Sequence, residues 1–461
     1  MEQKKISRSW RPRVSAQLIV IVVLLVLCSP LLYPLVNLWY GETKGPFRNW
    51  MQVVDLETDG DLDVIVSHTR WEEVDISWAG IGLWVNQGDG TFELVRDRGT
   101  DTWPLPGFAA GAGDIDQDQD LDMFIHEFQL RLLVNQGGLQ GGEAGQYLSR
   151  GGIDPPSAYE DGHPDMGGTI TMGDLNGDGR IDAFVAGCCY GVNASEPGYD
   201  FLHIPSVSWI WINDSEKNVL TGHIFPMDSL NGLPIRQAAL GDLDGDGDLD
   251  VFAAVGMPTM GTVDSLHDQV LLNDGTGQLE AFSQQLDNED STSVALGDVN
   301  GDGYLDALVG LSVGARLWIN QSNELEGTGQ IFVPSEQSFE AGQSAVNKLQ
   351  AAFSAAVDER LGLDFRYGSI RVNAVFLDDL DGDRDLDALI ARLWGAEIWW
   401  NDGQGEYERS DLRFSYRQDT GVAVADFDGD GDQDIFIGRN EDNYQVWFND
   451  GKGGFKADNR K

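Results

Sequence analysis

The chain has 461 residues, with 76 acidic side chains against 30 basic ones, a net charge of −46 at pH 7, 57 glycines and three cysteines. Such an acid excess argues against nucleic acid as a partner, because its phosphates would be repelled. Three cysteines are too few for a disulfide framework.

Residues 1–15 carry Lys4, Lys5, Arg8, Arg11 and Arg13 and read as a cytoplasmic tail. The largely apolar run from Ala16 to Trp39 would span about 36 Å as a helix, enough for a bilayer core. Basic residues ahead of it place the rest of the chain outside the cytoplasm. The expectation is a single-pass membrane protein: a transmembrane signal anchor over 16–39, then an extracytoplasmic domain over 40–461. The rival is a cleaved signal peptide with Leu18 to Leu27 as its apolar core, leaving a secreted or periplasmic protein. No small-x-small cleavage site comes after that core, and Leu27 before Cys28 does not suit a lipoprotein site. Pro30, Pro34 and Asn37, in turn, weaken the second half of a span.

From residue 55 onward one nine-residue acidic loop recurs seven times, 47 to 81 residues apart. Positions 1, 3, 5 and 9 supply hard oxygen ligands. They are Asp55, Glu57, Asp59 and Asp63 in the first loop, then Asp114, Asp116, Asp118 and Asp122 in the second. The third offers Asp174, Asn176, Asp178 and Asp182, the fourth Asp242, Asp244, Asp246 and Asp250. The fifth offers Asp298, Asn300, Asp302 and Asp306, the sixth Asp379, Asp381, Asp383 and Asp387. The seventh offers Asp426, Asp428, Asp430 and Asp434. Oxygen donors converging on a tight, mostly glycine-bearing turn suit Ca²⁺, in up to seven sites. An EF-hand would close its shell with Glu at position 12, whereas Val66, Ile125, Val185, Ala253, Val309, Ile390 and Ile437 stand there. The residues after position 9, such as Val64 to Val66 and Ile435 to Ile437, read as a buried strand. Loops 1, 4 and 7, with acids at all four positions and glycine at position 6, are expected to bind most tightly. Gln119 and Arg384 at that turn are expected to weaken loops 2 and 6.

After each loop comes an aromatic or apolar strand running into an asparagine turn, as in Leu83 to Phe92, Leu271 to Gly277, Trp399 to Gly405 and Trp447 to Phe455. This is a hairpin signal. Strand, acidic loop, strand, connection, aromatic strand, turn and last strand make four strands per repeat, the content of a propeller blade. Over about Phe47 to Phe455 the chain therefore resembles the FG-GAP (VCBS) repeat family, found in the integrin α-subunit head and in bacterial surface proteins. The resemblance implies an all-β, seven-bladed β-propeller with Ca²⁺-binding loops on one face. Integrin-like heads carry the loop in only some blades, so an acidic loop in all seven favours the bacterial branch.

Two insertions interrupt the repeats, over 187–208 and 322–372. Glu340 to Leu361 in the second reads as a helix, with Val346, Leu349, Phe353, Val357 and Leu361 at helical spacing. Such a helix either packs on the scaffold or docks a partner. The adjacent Cys188 and Cys189 read either as a vicinal disulfide or as two thiols beside a buried strand. Asn193-Ala-Ser195 is a sequon with meaning only in a eukaryotic secretory route.

Strands leaving the acidic loops should end on the opposite face. Five residues past position 9, blades 6, 7, 1 and 2 place Arg392, Arg439, His68 and Glu127, with Arg70, Trp71, His126 and Trp394 beside them; blades 3 to 5 place small or apolar residues there. Two arginines with aromatics suit a carboxylate- or sulfate-bearing ligand such as an acidic glycan. The alternative is that these are ordinary strand-end residues paired with local acids. The leading expectation is a membrane-anchored, calcium-stabilised binding or adhesion propeller for an extracellular or periplasmic glycan or protein partner. The alternatives are a polysaccharide lyase-like enzyme on the same scaffold, which no sequence-local catalytic motif supports, and a scaffold subunit of an envelope complex.

Overall fold

The computed structural model describes residues 49–458 apart from 70–78, 96–108, 127–129, 139–140, 143, 154–168, 188–207, 215–221, 228–229, 231–232, 257–266, 287–288, 313, 323–328, 340–371, 393–394, 416–420 and 439–443. The expected anchor over 16–39, the expected helix Glu340 to Leu361, the Cys188–Cys189 pair and the Asn193 sequon lie outside the described residues. Among the described residues no helix is long and apolar enough to cross a membrane.

The described strands form seven antiparallel sheets. Blade 1 holds β1 (Asn49–Val54), β2 (Asp63–Thr69), β3 (Ala79–Asn86) and β4 (Phe92–Val95); blade 2 holds β5 (Ala109–Gly113), β6 (Asp122–His126), β7 (Leu130–Asn135) and β8 (Tyr147–Ile153). Blade 3 holds β9 (Ile170–Gly173), β10 (Asp182–Val185), β11 (Trp209–Asn213) and β12 (Gly222–Pro226); blade 4 holds β13 (Ile235–Gly241), β14 (Asp250–Val255), β15 (Gln269–Asn273) and β16 (Leu279–Ala281). Blade 5 holds β17 (Ser291–Gly297), β18 (Asp306–Leu311), β19 (Ala315–Asn320) and β20 (Phe332–Pro334). Blade 6 holds β21 (Val372–Asp378), β22 (Asp387–Arg392), β23 (Gly395–Asn401) and β24 (Tyr407–Arg409), with the short β25 (Phe414–Ser415) also paired to β23. Blade 7 holds β26 (Val422–Ala425), β27 (Asp434–Gly438), β28 (Tyr444–Phe448) and β29 (Lys456–Ala457). This is a seven-bladed β-propeller.

First strands pack on first strands around the ring: β1 on β5, β5 on β9, and onward to β21 on β26 and β26 on β1. They are therefore the innermost strands, and blade 7 closes on blade 1. Gly241 and Gly297 show why small residues stand at the inner strand ends. A Cβ on Gly241 would lie 2.5 Å from Leu305 Cδ1 of the next blade, and one on Gly297 would lie 2.6 Å from Leu386 Cδ1.

The core lies between blades, in seven clusters that each draw on two neighbours. The second strands supply much of it, and β6, β14, β18, β22 and β27 are buried along their whole length. Burial on both faces explains their unbroken apolar runs. At the seam, Phe92 of blade 1 packs edge-on against Phe427, Phe436 and Tyr444 of blade 7. Among the described residues no strand is exchanged there: β26 to β29 form one sheet by themselves. Each fully buried Phe contributes about 1.5–3 kcal/mol, so apolar packing is a major part of what holds the ring shut.

Candidate metal centres on the acidic loops

Each acidic loop joins the first and second strands of its blade, with position 9 opening the second strand. Asp63 pairs across from Val54, Asp250 from Gly241 and Asp434 from Ala425. The asparagine turn joins the third and fourth strands at that same end, so both motifs share one face of the propeller.

Local geometry follows from the backbone. Positions 4 and 6 take positive φ in all seven loops, from Gly245 at 84° and Gly247 at 98° to Gln117 at 61° and Gln119 at 77°. This turns the amides of the loop inward. Asp55 at position 1 accepts from the Asp59 and Gly60 amides at 3.1 and 3.0 Å, and Asp426 accepts from Gly429, Asp430 and Gly431 at 2.8–3.1 Å. In four loops three carboxylates bring one oxygen each within 4.8 Å of one another: Asp114, Asp116 and Asp118; Asp242, Asp244 and Asp246; Asp379, Asp381 and Asp387; Asp426, Asp428 and Asp434. The weakening expected of loops 2 and 6 does not show in this geometry, since both are among the four. Gln119 and Arg384 instead adopt the left-handed backbone that glycine adopts elsewhere. In loops 3 and 5 position 3 is an amide, and Asn176 and Asn300 donate to Asp178 and Asp302 at 3.0 and 3.1 Å.

The aspartate at position 9 is a keystone. Asp250 accepts from the Leu243 amide with one oxygen and from the Asn273 amide with the other, both at 2.8 Å. The same pair of bonds recurs at Asp63, Asp122, Asp182, Asp306, Asp387 and Asp434. Burial pushes these carboxyls up, to about 8 at Asp63 and Asp122, about 7 at Asp306, Asp387 and Asp434, and about 6 at Asp182 and Asp250, against the opposing pull of the two amides. Carboxylates gathered and partly buried in this way are costly without a compensating cation. The donor set is all oxygen, as Ca²⁺ requires, and each aspartate oxygen that accepts one amide keeps a lone pair for an ion. The residues fit.

The asparagine that ends the third strand does more than turn the chain. Asn273 Nδ2 donates to Leu249 O of its own loop at 3.0 Å and to Leu175 O, at position 2 of the preceding blade's loop, at 2.7 Å. Asn86, Asn135, Asn213, Asn320, Asn401 and Asn449 reach the preceding blade in the same way, at 2.8–3.2 Å. A sequence signal existed: this asparagine stands in all seven repeats, even where Asp-Gly does not come after it, as in Asn213-Asp-Ser215 and Asn320-Gln-Ser322.

The residues expected on the opposite face are only partly described. His68 pairs with Asn49 and Gly80, and Arg392 with Val372 and Gly395, so both stand at the strand ends remote from the loops. Arg70, Trp71, Glu127, Trp394 and Arg439 lie outside the described residues. Arg392 is buried: it is ion-paired to Glu397 at 3.5 Å and donates to Phe339 O at 3.0 Å, while Glu397 also holds Arg409 at 2.7 Å. His126 is buried in blade 2, and desolvation pulls its imidazole down to about 4. These two side chains belong to the interior of blades that are not neighbours. Blades 4 and 5, expected to be small or apolar at this end, carry polar groups on adjoining segments. Asp268 accepts from the Val255 amide and the Ser291 hydroxyl, at 2.8 and 2.9 Å, and Ser312 bonds Asp290.

Three stretches, residues 174–253, 242–309 and 379–437, match the FG-GAP-like repeat. The chain is an FG-GAP repeat propeller. No curated protein matches it at a significant level. Among solved structures, the propeller is similar to an Agrocybe aegerita lectin described as recognising non-reducing terminal N-acetylglucosamine, with 16% identity and TM-score 0.43 over 90% of this chain and 80% of the lectin. It is also similar to the V. cholerae biofilm matrix protein Bap1, with 10% identity and TM-score 0.40 over 90% and 80% of the two chains. Neither similarity is close enough to carry a functional argument.

Proposed function

We propose that this FG-GAP propeller is a calcium-stabilised extracytoplasmic binding or adhesion module, tethered to the membrane through residues 16–39. The observation that carries the calcium reading is the convergence of three carboxylate oxygens within 4.8 Å in each of four loops. Bound Ca²⁺ would offset the repulsion among those carboxylates and rigidify the loop-bearing face, on a fold in which blades are held chiefly by packing and by the asparagine bridges. The tether is supported by the five basic residues ahead of the apolar run.

The ligand surface of this reading is the face away from the loops, where the repeat pattern of the sequence leads us to expect Arg70, Trp71, Glu127, Trp394 and Arg439, all outside the described residues. His68 stands at that end of β2. Arg392, held by Glu397, and His126 would support this surface from beneath. A carboxylate- or sulfate-bearing glycan, or an acidic protein segment, is the ligand chemistry these side chains suit. The test has two arms. Melting the protein with and without chelator should show a large loss of melting temperature on Ca²⁺ removal, and an unchanged value would sink the calcium reading. Incubation with acidic polysaccharides should give binding without new chain ends; unsaturated ends would make the protein a lyase.

A further inference from the structure

The seam between blades 4 and 5 carries two carboxyls on the face away from the acidic loops. Asp268 stands one residue ahead of β15 and is only 1% exposed. One of its oxygens accepts from the Val255 amide at the end of β14, within blade 4, at 2.8 Å. The other accepts from the Ser291 hydroxyl at the start of β17, in blade 5, at 2.9 Å. Asp268 thereby ties two blades together. Asp290 comes just before β17. Its Oδ2 takes the Ser312 hydroxyl, whereas its Oδ1 is shut off from solvent and accepts no hydrogen bond. Gly256 lets the two blades come this close. A Cβ there would lie 2.5 Å from Asp290 Oδ1 and nearer still to Ser291 O.

The other charged groups described around this pair hold partners of their own. Arg236 of β13 donates Nε to Gly256 O at 3.2 Å, and Arg316 of β19 pairs with Glu289 at 3.4 Å. His267 bonds Leu286 O through Nδ1 at 2.7 Å. Burial, and to a smaller degree the Asp290 charge, push the Asp268 carboxyl up to about 7, against the pull of Val255 and Ser291.

We propose that Asp268 and Asp290 form a proton-operated latch between blades 4 and 5, closed when Asp268 carries a proton and loosened when both carboxyls are charged. Protonation keeps the tie to blade 5, because the Ser291 hydroxyl can accept from a carboxylic acid as well as donate to a carboxylate. Loss of the proton leaves two repelling charges at the seam, with a buried oxygen that no donor compensates. The folded value of Asp268 lies above the 3.8 of an unperturbed aspartate. The latch therefore contributes fully below about pH 4, and its contribution is lost as pH rises through about 7. Neither residue belongs to an acidic loop, so the latch is independent of the Ca²⁺ reading.

The experiment is hydrogen exchange on the full chain in detergent and saturating Ca²⁺, with each amide expressed as a protection factor. In wild type the protection of the Val255 amide should fall by up to about tenfold per unit between pH 4 and 7. The Ala186 amide, which bonds Thr169 O in blade 3 at 2.9 Å, should keep its protection over that range. Asp268→Asn, which holds the side chain neutral, should leave Val255 protected at every pH. Asp290→Asn should move the midpoint to lower pH. The wild-type profile decides the matter even if a variant does not fold: constant protection at Val255, or an equal fall at Ala186, would overturn the latch. Retained pH dependence in Asp268→Asn would overturn it as well, and an unmoved midpoint in Asp290→Asn would remove Asp290 from it.

Discussion

Asn86 of blade 1 donates its side-chain amide to the carbonyl of Phe427 in blade 7 at 2.8 Å, across a sequence separation of 341 residues. The two residues are the ends of the ring meeting. The bond is chemically the same as the six between successive blades, so the seam is built like every other interface.

Asn86→Ala removes the donor for Phe427 O and Leu62 O and leaves buried acceptors unsatisfied. A loss of about 1–3 kcal/mol is expected. Asn213→Ala, which strands Ile115 O and Ile181 O, should cost a similar amount. Denaturant titration of both variants in Ca²⁺ checks this. A neutral Asn86→Ala would mean the seam relies on its aromatic cluster alone.

Gln119 and Arg384 sit at φ of 77° and 79° where five loops carry glycine. An L-residue in that region costs about 1–2 kcal/mol, partly offset by the extra chain entropy that glycine loses. Gln119→Gly and Arg384→Gly should therefore each raise stability by about 0.5–1 kcal/mol. Gly247→Gln in loop 4 should lower it by a similar amount. Melting temperatures in saturating Ca²⁺ are the measure.

The buried position 9 aspartates make calcium-free stability depend on pH in an unusual direction. Their folded pKa values, about 6 to 8, exceed the 3.8 of an unperturbed aspartate. Between about pH 4 and 8 the folded chain then holds more protons than the unfolded one, and stability falls as pH rises. In EGTA the protein should melt higher at about pH 5.5 than at about pH 8. With Ca²⁺ present the trend should reverse, because the ion needs the carboxylates deprotonated. A flat calcium-free profile would show that these aspartates titrate normally.

Loop 3 contains its own cation. Arg180 pairs with Asp178 and donates Nε to Asn213 O at 2.8 Å, tying the position 5 ligand to the asparagine turn. Arg180→Ala should raise Ca²⁺ affinity at loop 3, by severalfold, and lower the calcium-free melting temperature. Calorimetric titration against wild type reads the first effect. An unchanged isotherm would show that Asp178 leaves the guanidinium without cost.

The loops and the blade count were legible because position 9 is always Asp and the run after it is always apolar, a pattern that needs no tertiary information. The bridging role of Asn273 and its six counterparts was hidden by overlap: the same residue satisfies the hairpin turn, which already accounts for its presence. Arg392 was open to two readings, a ligand-facing cation or a strand-end residue paired with a local acid, and its pairing with Glu397 in the interior matches the second. A strand-end position locates a residue on a face; burial is decided by what packs above it.

Every blade is one uninterrupted stretch of sequence, and each passage from an outer strand to the next inner strand repeats the same move. The step from β29 back to β1 differs from the others only in lacking a peptide connection. The ring consequently has no privileged starting blade. A circular permutant that joins Ala457 to Asn49 by a linker as long as residues 227–234, which already make the passage from β12 to β13, and that opens the chain there instead should assemble the same propeller.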